Sequence, residues 1–141
     1  MLRTKHGVHN SFNSPDSINH LDWNNLTKYP KLYSFYCDLT RFRHEHPAFR
    51  MGSADEVRKH LEFLPSKDCM VTFMLKNHAG GDEWNNIIVC INAGEKDQLI
   101  DIPDGKWYVC GDLDAIDTYR SYIFVGHTLR MDGRSIKILH D

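Results

Sequence analysis

The second half of the chain carries the feature that most limits its fold, a succession of short apolar runs separated by turn-forming residues. Between positions 70 and 140 these runs read MVTFMLK, NIIVCIN, QLIDI, KWYVCG, YRSYIFVG, HTLRM and SIKILH. Each is rich in β-branched or aromatic residues and is bounded by Gly, Asp or Pro, the pattern of short strands. The segment HAGGDEWN between the first two runs predicts a hairpin loop. We therefore expect seven strands in an antiparallel β-sandwich or barrel.

One helix is predicted upstream of the strands, from Tyr29 to His46. Pro47 ends it, because a residue that precedes proline is driven out of the helical conformation. Pro30 is tolerated in the first turn, and Thr27 is a candidate cap. The apolar stripe of this helix is wide and aromatic, which predicts packing against a large surface. The positions of the stripe are Leu32, Phe35, Tyr36, Leu39, Phe42 and Arg43.

Two further segments complete the outline. Ser53 and Glu56 have the spacing of a capping box, so a short helix is expected to begin at Ser53, with Glu56 reaching back to the amide of the cap. Residues 1–28 are polar and show no periodicity. A run of this length predicts a functional loop or a disordered tail. This combination is typical of a piece of a larger chain.

The composition excludes several classes of partner. The 141 residues carry a net charge of −2, with an isoelectric point near 6.5. Nucleic acids and anionic membranes require a basic surface, so neither is expected as a partner. No apolar run approaches the roughly 18 residues that a membrane span requires.

Four cysteines lie far apart, without a C-x-x-C pair. Cys37, Cys90 and Cys110 fall within apolar runs, where a free cysteine behaves as a small hydrophobic residue. Reduced core thiols are therefore favoured over disulfides.

Nine histidines raise the question of a metal site, above all in the segment RFRHEHPAFR at 41–50. Two zinc ligands on a helix need a spacing of three or four residues. His44 and His46 are two apart, so they point about 200° away from each other on a helix. His6, His9 and His20 lie in the polar segment. We expect no metal and no cofactor, and a metal-binding module remains the least favoured alternative.

Carboxylates and aromatic residues could also form a site. Asp16 and Asp22 are one group of acids, and the segment GDLDAID, from Asp112 to Asp117, reads as a solvated loop. Strand aromatics belong more often to a core or to cross-strand pairs than to a sugar-stacking surface.

Two segments resemble a known family. LRTKHGVHNSFNSPDSINHLDW at 2–23, followed by RFRHEHPAFRM at 41–51, resembles the C-terminal part of type I pullulanases, starch-debranching enzymes of the α-amylase superfamily. In that family a segment like EEFLRTK leads into a loop NSYNSPDxIN, a DW pair and a last barrel helix that ends in RKEHPAFR. Phe12 stands where tyrosine is common, and His44 replaces a lysine or arginine. The resemblance is specific over 1–64 and looser over 65–141.

The resemblance implies both a fold and an activity. It implies an antiparallel β-sandwich of the α-amylase C-terminal-domain type at 51–141, preceded at 1–50 by the last loop and helix of a (β/α)8 barrel. The full-length parent would hydrolyse α-1,6 linkages of an α-glucan (pullulan, starch or glycogen limit dextrin) with retention. Its three catalytic carboxylates would lie on earlier barrel strands, so this chain alone is expected to be inactive. The sandwich would stabilise the missing catalytic barrel, whether in the bacterial cytoplasm, the periplasm or at the cell surface.

The loop after the eighth barrel strand faces the active-site mouth in such a barrel. The resemblance therefore makes Arg3, Asn10, Asp16 and Asn19 candidates for orienting sugar hydroxyls, and Phe12 a candidate for packing on a sugar face. The alternative is that Asp16 and Asn19 simply cap turns.

An autonomous carbohydrate-binding module would need an exposed aromatic row, for example Trp84, Trp107 and Tyr122. The helix stripe Leu32–Phe42, if left uncovered, predicts self-association. Deletion of residues 1–50 is expected to leave the sandwich folded.

Overall fold

A computed structural model describes residues 2–112, 115–117 and 121–141. The helices are α1 (Asp16–Asn19), α2 (Asn25–Lys28), α3 (Pro30–Glu45) and α4 (Ala54–His60), with 3-10 turns at Pro47–Arg50 and Ala79–Gly81. The strands are β1 (Leu61–Phe63), β2 (Met70–Leu75), β3 (Ile87–Asn92), β4 (Gln98–Asp112), β5 (Ala115–Ile116), β6 (Tyr122–Met131) and β7 (Ser135–His140). The described part holds no helix with the length and apolar character of a membrane span.

The chain forms two compact units, Met1–Cys37 and Asp38–Asp141. The first contains α1, α2 and the start of α3, and the second contains all the strands. The long helix agrees with its prediction to within one residue at each end, and His46 separates its last residue from Pro47. The predicted boundary at residue 50 separates barrel-derived residues from the sandwich of the parent enzyme, and it stays a prediction.

All strand pairs are antiparallel, in the order β1-β2-β3-β7-β4-β5, with β6 paired to β4. Strand β4 pairs with β6 along most of its length and with β7 only near its end. Side chains from β2, β3, β4, β6 and β7 meet in a single cluster, so the bent sheet closes on a common core as the predicted β-sandwich. The cluster contains Met70, Ile88, Cys90, Ile100, Ile102, Trp107, Val109, Leu129, Met131 and Leu139.

The division of the sheet into strands differs from the prediction. QLIDI and KWYVCG form one strand, β4, and YIFVG and HTLRM form one strand, β6. Gly105 lies at a shift in the β4–β6 register, where the indole Nε1 of Trp107 donates a hydrogen bond to the carbonyl of Pro103 (3.0 Å). Proline and glycine therefore bend β4 here instead of ending it. The start of the predicted run YRSYIFVG lies outside the described residues.

Helix α4 begins as predicted, with a small difference in its cap. The Ser53 hydroxyl accepts a hydrogen bond from the Glu56 amide (3.2 Å). The Glu56 carboxylate accepts from the amide of Gly52 (3.3 Å), one residue before the cap. The reciprocal bond of the capping box is therefore displaced by one position.

All four cysteines are free, which agrees with the prediction of thiols. Cys90 and Cys110 are buried and Cys37 is half-buried. Cys69 is exposed, in a left-handed turn (φ 62°) before β2. Burial raises the pKa of the Cys90 and Cys110 thiols to about 12.

Candidate functional site

The polar segment before α1 is held by one side-chain amide. Asn19 Nδ2 donates hydrogen bonds to the carbonyl oxygens of Ser11 (2.6 Å) and Ser14 (2.9 Å). The guanidinium of Arg3 in turn donates to the carbonyl of Asn19 (3.0 Å). Ser11 is buried. Arg3 and Asn19 therefore fix the shape of the loop that contains Phe12.

Two of the candidate residues point away from this network. Phe12 is 84% exposed, and its amide donates to the side-chain oxygen of Asn10 (3.4 Å). Asp16 lies exposed in the first turn of α1. Within residues 2–112, 115–117 and 121–141, the carboxylate of Asp16 forms no hydrogen bond or ion pair. Phe12 and Asp16 are thus two exposed candidates whose side chains take no part in this network.

Three of the five candidates, Arg3, Asn10 and Asn19, bond to the backbone of their own segment. Their assignment to sugar binding stays a prediction. Beside Arg3, residues of the same segment line a cavity of about 180 Å³ that the sequence did not predict. The polar members of this cavity include Thr4, His6, Ser17, His20 and Asp22.

The two histidines of RFRHEHPAFR have different environments. His44 is exposed, whereas His46 is buried, with its Nδ1 3.1 Å from Asp82 Oδ1. Since a carboxylate can only accept, Nδ1 carries the hydrogen of this bond. The Asp82 carboxylate also accepts from the amides of Ala48 (3.2 Å) and Trp84 (3.1 Å). His46 therefore fastens the end of α3 to the loop between β2 and β3.

Trp84 lies between two imidazoles. The ring centroids of His46 and His140 are 3.9 Å and 3.6 Å from that of Trp84, with interplanar angles of 29° and 2°. Two rings cannot both stack this closely on one face of the indole, so they cover opposite faces. We call His46, Asp82, Trp84 and His140 the joint.

The described ranges contain no group of three or more His, Cys, Asp or Glu side chains placed to hold a metal ion. In RFRHEHPAFR, the segment that suggested a metal site, Nδ1 of His46 is hydrogen-bonded to Asp82.

The aromatic row that a separate carbohydrate-binding module would need is not formed. Trp107 is only 5% exposed, and both faces of Trp84 are covered. Only Tyr122 is exposed, and its hydroxyl donates to Asp112 (3.2 Å). The hypothesis of an autonomous module on this row is therefore wrong.

The prediction of a solvated loop at 112–117 is also wrong for its first residue. Asp112 ends β4 and accepts a hydrogen bond from the ammonium of Lys137 (2.8 Å). Lys137 is buried, so this pair belongs to the structured part of the sheet. Asp114 lies outside the described residues.

Comparison with known sequences identifies relatives of this chain. Residues 57–114 match the family described as "Pullulanase, all-beta domain". A pullulanase from Bacillus subtilis (strain 168) is 41% identical over 92 residues, which cover 65% of this chain and 13% of that enzyme.

Solved structures match over almost the whole chain. The pullulanase from Bacillus acidopullulyticus has a TM-score of 0.90 and 36% identity, over 99% of this chain and 17% of the other. The type I pullulanase from Bacillus subtilis 168, complexed with maltose, has a TM-score of 0.86 and 32% identity, over 98% of this chain and 19% of the other. The chain thus spans about a fifth or less of the length of the relatives it matches. These sequence and structural matches show that the chain is similar to part of pullulanases over almost its whole length, with residues 57–114 matching their all-beta domain.

Proposed function

We propose that this chain is the C-terminal portion of a debranching α-glucan hydrolase, which cleaves α-1,6 linkages with retention when the rest of the enzyme is present. The main support is the match to the Bacillus acidopullulyticus pullulanase, at 36% identity over 99% of the chain. The chain corresponds to only 13–21% of the matched enzymes, which leaves room for catalytic groups elsewhere in the parent.

The acidic residues of the sheet favour a structural role for this chain. Retaining hydrolysis requires two carboxyl groups facing each other across a sugar-sized cleft. Asp82 is instead enclosed in the joint, Asp112 pairs with Lys137, and Asp97 pairs with Arg130 (2.7 Å). In this proposal the chain alone does not hydrolyse glucan, and its sheet stabilises the catalytic barrel of the parent.

The contribution to substrate binding comes from the loop that Asn19 holds. Phe12 offers an exposed ring for a sugar face, and Asp16 a carboxylate for sugar hydroxyls. Arg3, Asn10 and Asn19 keep these two groups in place through their bonds to the backbone. Related pullulanases have been solved in complex with maltose, maltotriose and maltotetraose, which supports an α-glucan as the ligand.

A chimera tests the proposal directly. The segment of the Bacillus subtilis pullulanase that matches this chain is replaced by residues 1–141, and pullulan hydrolysis is measured as release of reducing ends. We expect an active chimera. The isolated 141-residue chain, tested in parallel, should release none.

Two variants of the chimera test the loop. Asp16→Asn should raise KM about tenfold or more, because a hydrogen bond to a charged group contributes about 1.5–3 kcal/mol. Phe12→Ala should raise KM severalfold through loss of stacking. Ser34→Ala, exposed on α3 outside the loop, serves as the control. A folded chimera without activity would refute the debranching assignment, whereas an active chimera insensitive to both variants would refute only the role of the loop.

A further inference from the structure

The joint places two ionisable rings against one indole in a half-buried site. His140, at the end of β7, stacks on Trp84 and lies 5.3 Å from the ring centroid of Tyr108. His46 covers the other face of Trp84 and bonds to Asp82. The site thus connects the end of α3 to the sheet through aromatic stacking and one buried carboxylate.

Several charged or titratable groups surround His140. Its Nδ1 lies 3.1 Å from the backbone oxygen of Asp141, whose carboxylate accepts hydrogen bonds from Asn85 and Asn86. His46 and Asp82 face His140 from the helix end and the hairpin loop. On the adjacent strand the ammonium of Lys106 lies 5.1 Å from the Tyr108 ring.

These surroundings disfavour a charge on His140. Burial is the main cause that lowers the pKa of His140, and the neighbouring His46 lowers it further, against the opposing effects of Asp141 and Asp82. An imidazolium would gain a cation–π contact with the indole, but it would lose hydration inside the stack.

We propose that the joint is an acid-sensitive latch: protonation of His140 at mildly acidic pH opens the stack on Trp84 and loosens the His46–Arg50 segment from the sheet. The sign follows from linkage. A histidine whose folded pKa lies below its unfolded value of about 6.5 contributes stability fully above that value. This contribution is lost as the pH falls from about 6.5 through the folded pKa. The joint lies within Asp38–Asp141, so the latch is independent of the sugar-binding proposal.

NMR titration of the 141-residue chain between pH 8 and 4.5 tests the latch. The assigned Hε1–Cε1 signal of His140 should titrate with a midpoint below 6.5. The indole signal of Trp84 and the amide of Ala48 should shift with that same midpoint. In His46→Gln the midpoint of His140 should rise, because His46 is one of the groups that lower the pKa of His140.

Variants of His140 decide the matter. His140→Gln should abolish the pH-dependent shifts of the Trp84 indole signal and the Ala48 amide signal. If this variant does not fold, His140→Phe, which keeps a stacked ring without a charge, should abolish the same shifts. His44→Gln, exposed at the end of the same helix, should leave the titration unchanged. Trp84 and Ala48 signals that do not move above pH 4.5, or that still titrate in both His140 variants, would overturn the latch.

Discussion

Gly80 lies against Pro47 so closely that no side chain fits between them. A Cβ on Gly80 would lie 2.8 Å from the carbonyl oxygen of Pro47, and Gly80 has a left-handed backbone (φ 62°). Both restrictions act where the β2–β3 loop meets the turn that follows α3. The hairpin loop can therefore approach the helix end only because it carries glycine here.

Gly80→Ala should lower the free energy of unfolding by about 3 kcal/mol, the sum of left-handed strain and a backbone clash. Gly81→Ala provides a matched control, since Gly81 is also left-handed (φ 80°) but has no atom within 4 Å of its Cβ position. The control should lose only about 1 kcal/mol. Urea denaturation measures both, and equal losses would show that the contact with Pro47 has no energetic weight.

Asp82→Ala should destabilise the chain by about 3 kcal/mol, because it leaves His46 and the amides of Ala48 and Trp84 without their shared acceptor. Asp55→Ala is the control. Asp55 pairs with Arg58 across one helical turn on an exposed surface, where such pairs contribute less than about 1 kcal/mol. Urea denaturation measures the free energy of unfolding of both variants, and the difference between their losses gives the contribution of the joint to stability. If Asp82→Ala lost no more unfolding free energy than Asp55→Ala, the joint would not stabilise the chain.

Cysteine reactivity should follow burial. The thiolate is the reactive form, and burial raises the pKa of Cys90 and Cys110 to about 12. At pH 8 in the native state, iodoacetamide should modify Cys69 and spare Cys90 and Cys110. In urea all four cysteines should react. Mass spectrometry of the digested protein identifies each site, and native labelling of Cys90 at the rate of Cys69 would refute this prediction.

Local sequence patterns predicted the elements that depend on local physics. Helix α3 follows from its apolar periodicity and from Pro47, and the cap of α4 from the spacing of Ser53 and Glu56. The strands β2, β3 and β7 were also predicted to within about a residue. Their apolar runs are bounded by turn residues, so the boundaries are marked in the sequence itself.

Longer-range features could not be predicted in this way. Gly105 and Gly126 look like strand ends in the sequence, but pairing between β4 and β6 carries both strands through these positions. The contact between His46 and Asp82 joins residues 36 positions apart, and no local pattern encodes it. The same limit applies to the loop, where the sequence offered Asn19 as a sugar ligand or a turn cap but did not identify Ser11 as its partner.

The aromatic groove on α3 should cause self-association of the chain. Tyr33 is 54% exposed and lies in a groove that also includes Leu26, Tyr29 and Leu32. Exposed apolar patches of this kind favour contacts between molecules. Tyr33→Glu should weaken association at least tenfold in sedimentation equilibrium, whereas Ser34→Glu, on the same helix, should have little effect. A wild-type chain that remains monomeric at all concentrations would contradict the prediction.

The position at which the chain is cut should decide whether the sheet keeps its stability. Removal of residues 1–37 leaves the compact unit Asp38–Asp141 with its joint complete, so we expect cooperative unfolding in urea. Removal of residues 1–50 also deletes His46 and Ala48, so that among the described residues the Trp84 amide alone still donates to the Asp82 carboxylate.

The shorter fragment should therefore be less stable than the longer one by about 3 kcal/mol, since it lacks the two hydrogen bonds that His46 and Ala48 donate to the Asp82 carboxylate. Asp82→Asn, introduced into both fragments, provides the control, because it removes the charge and should narrow the difference between them. If the two fragments with the native Asp82 were equally stable, the domain boundary would lie at residue 50 and the joint would not contribute to folding.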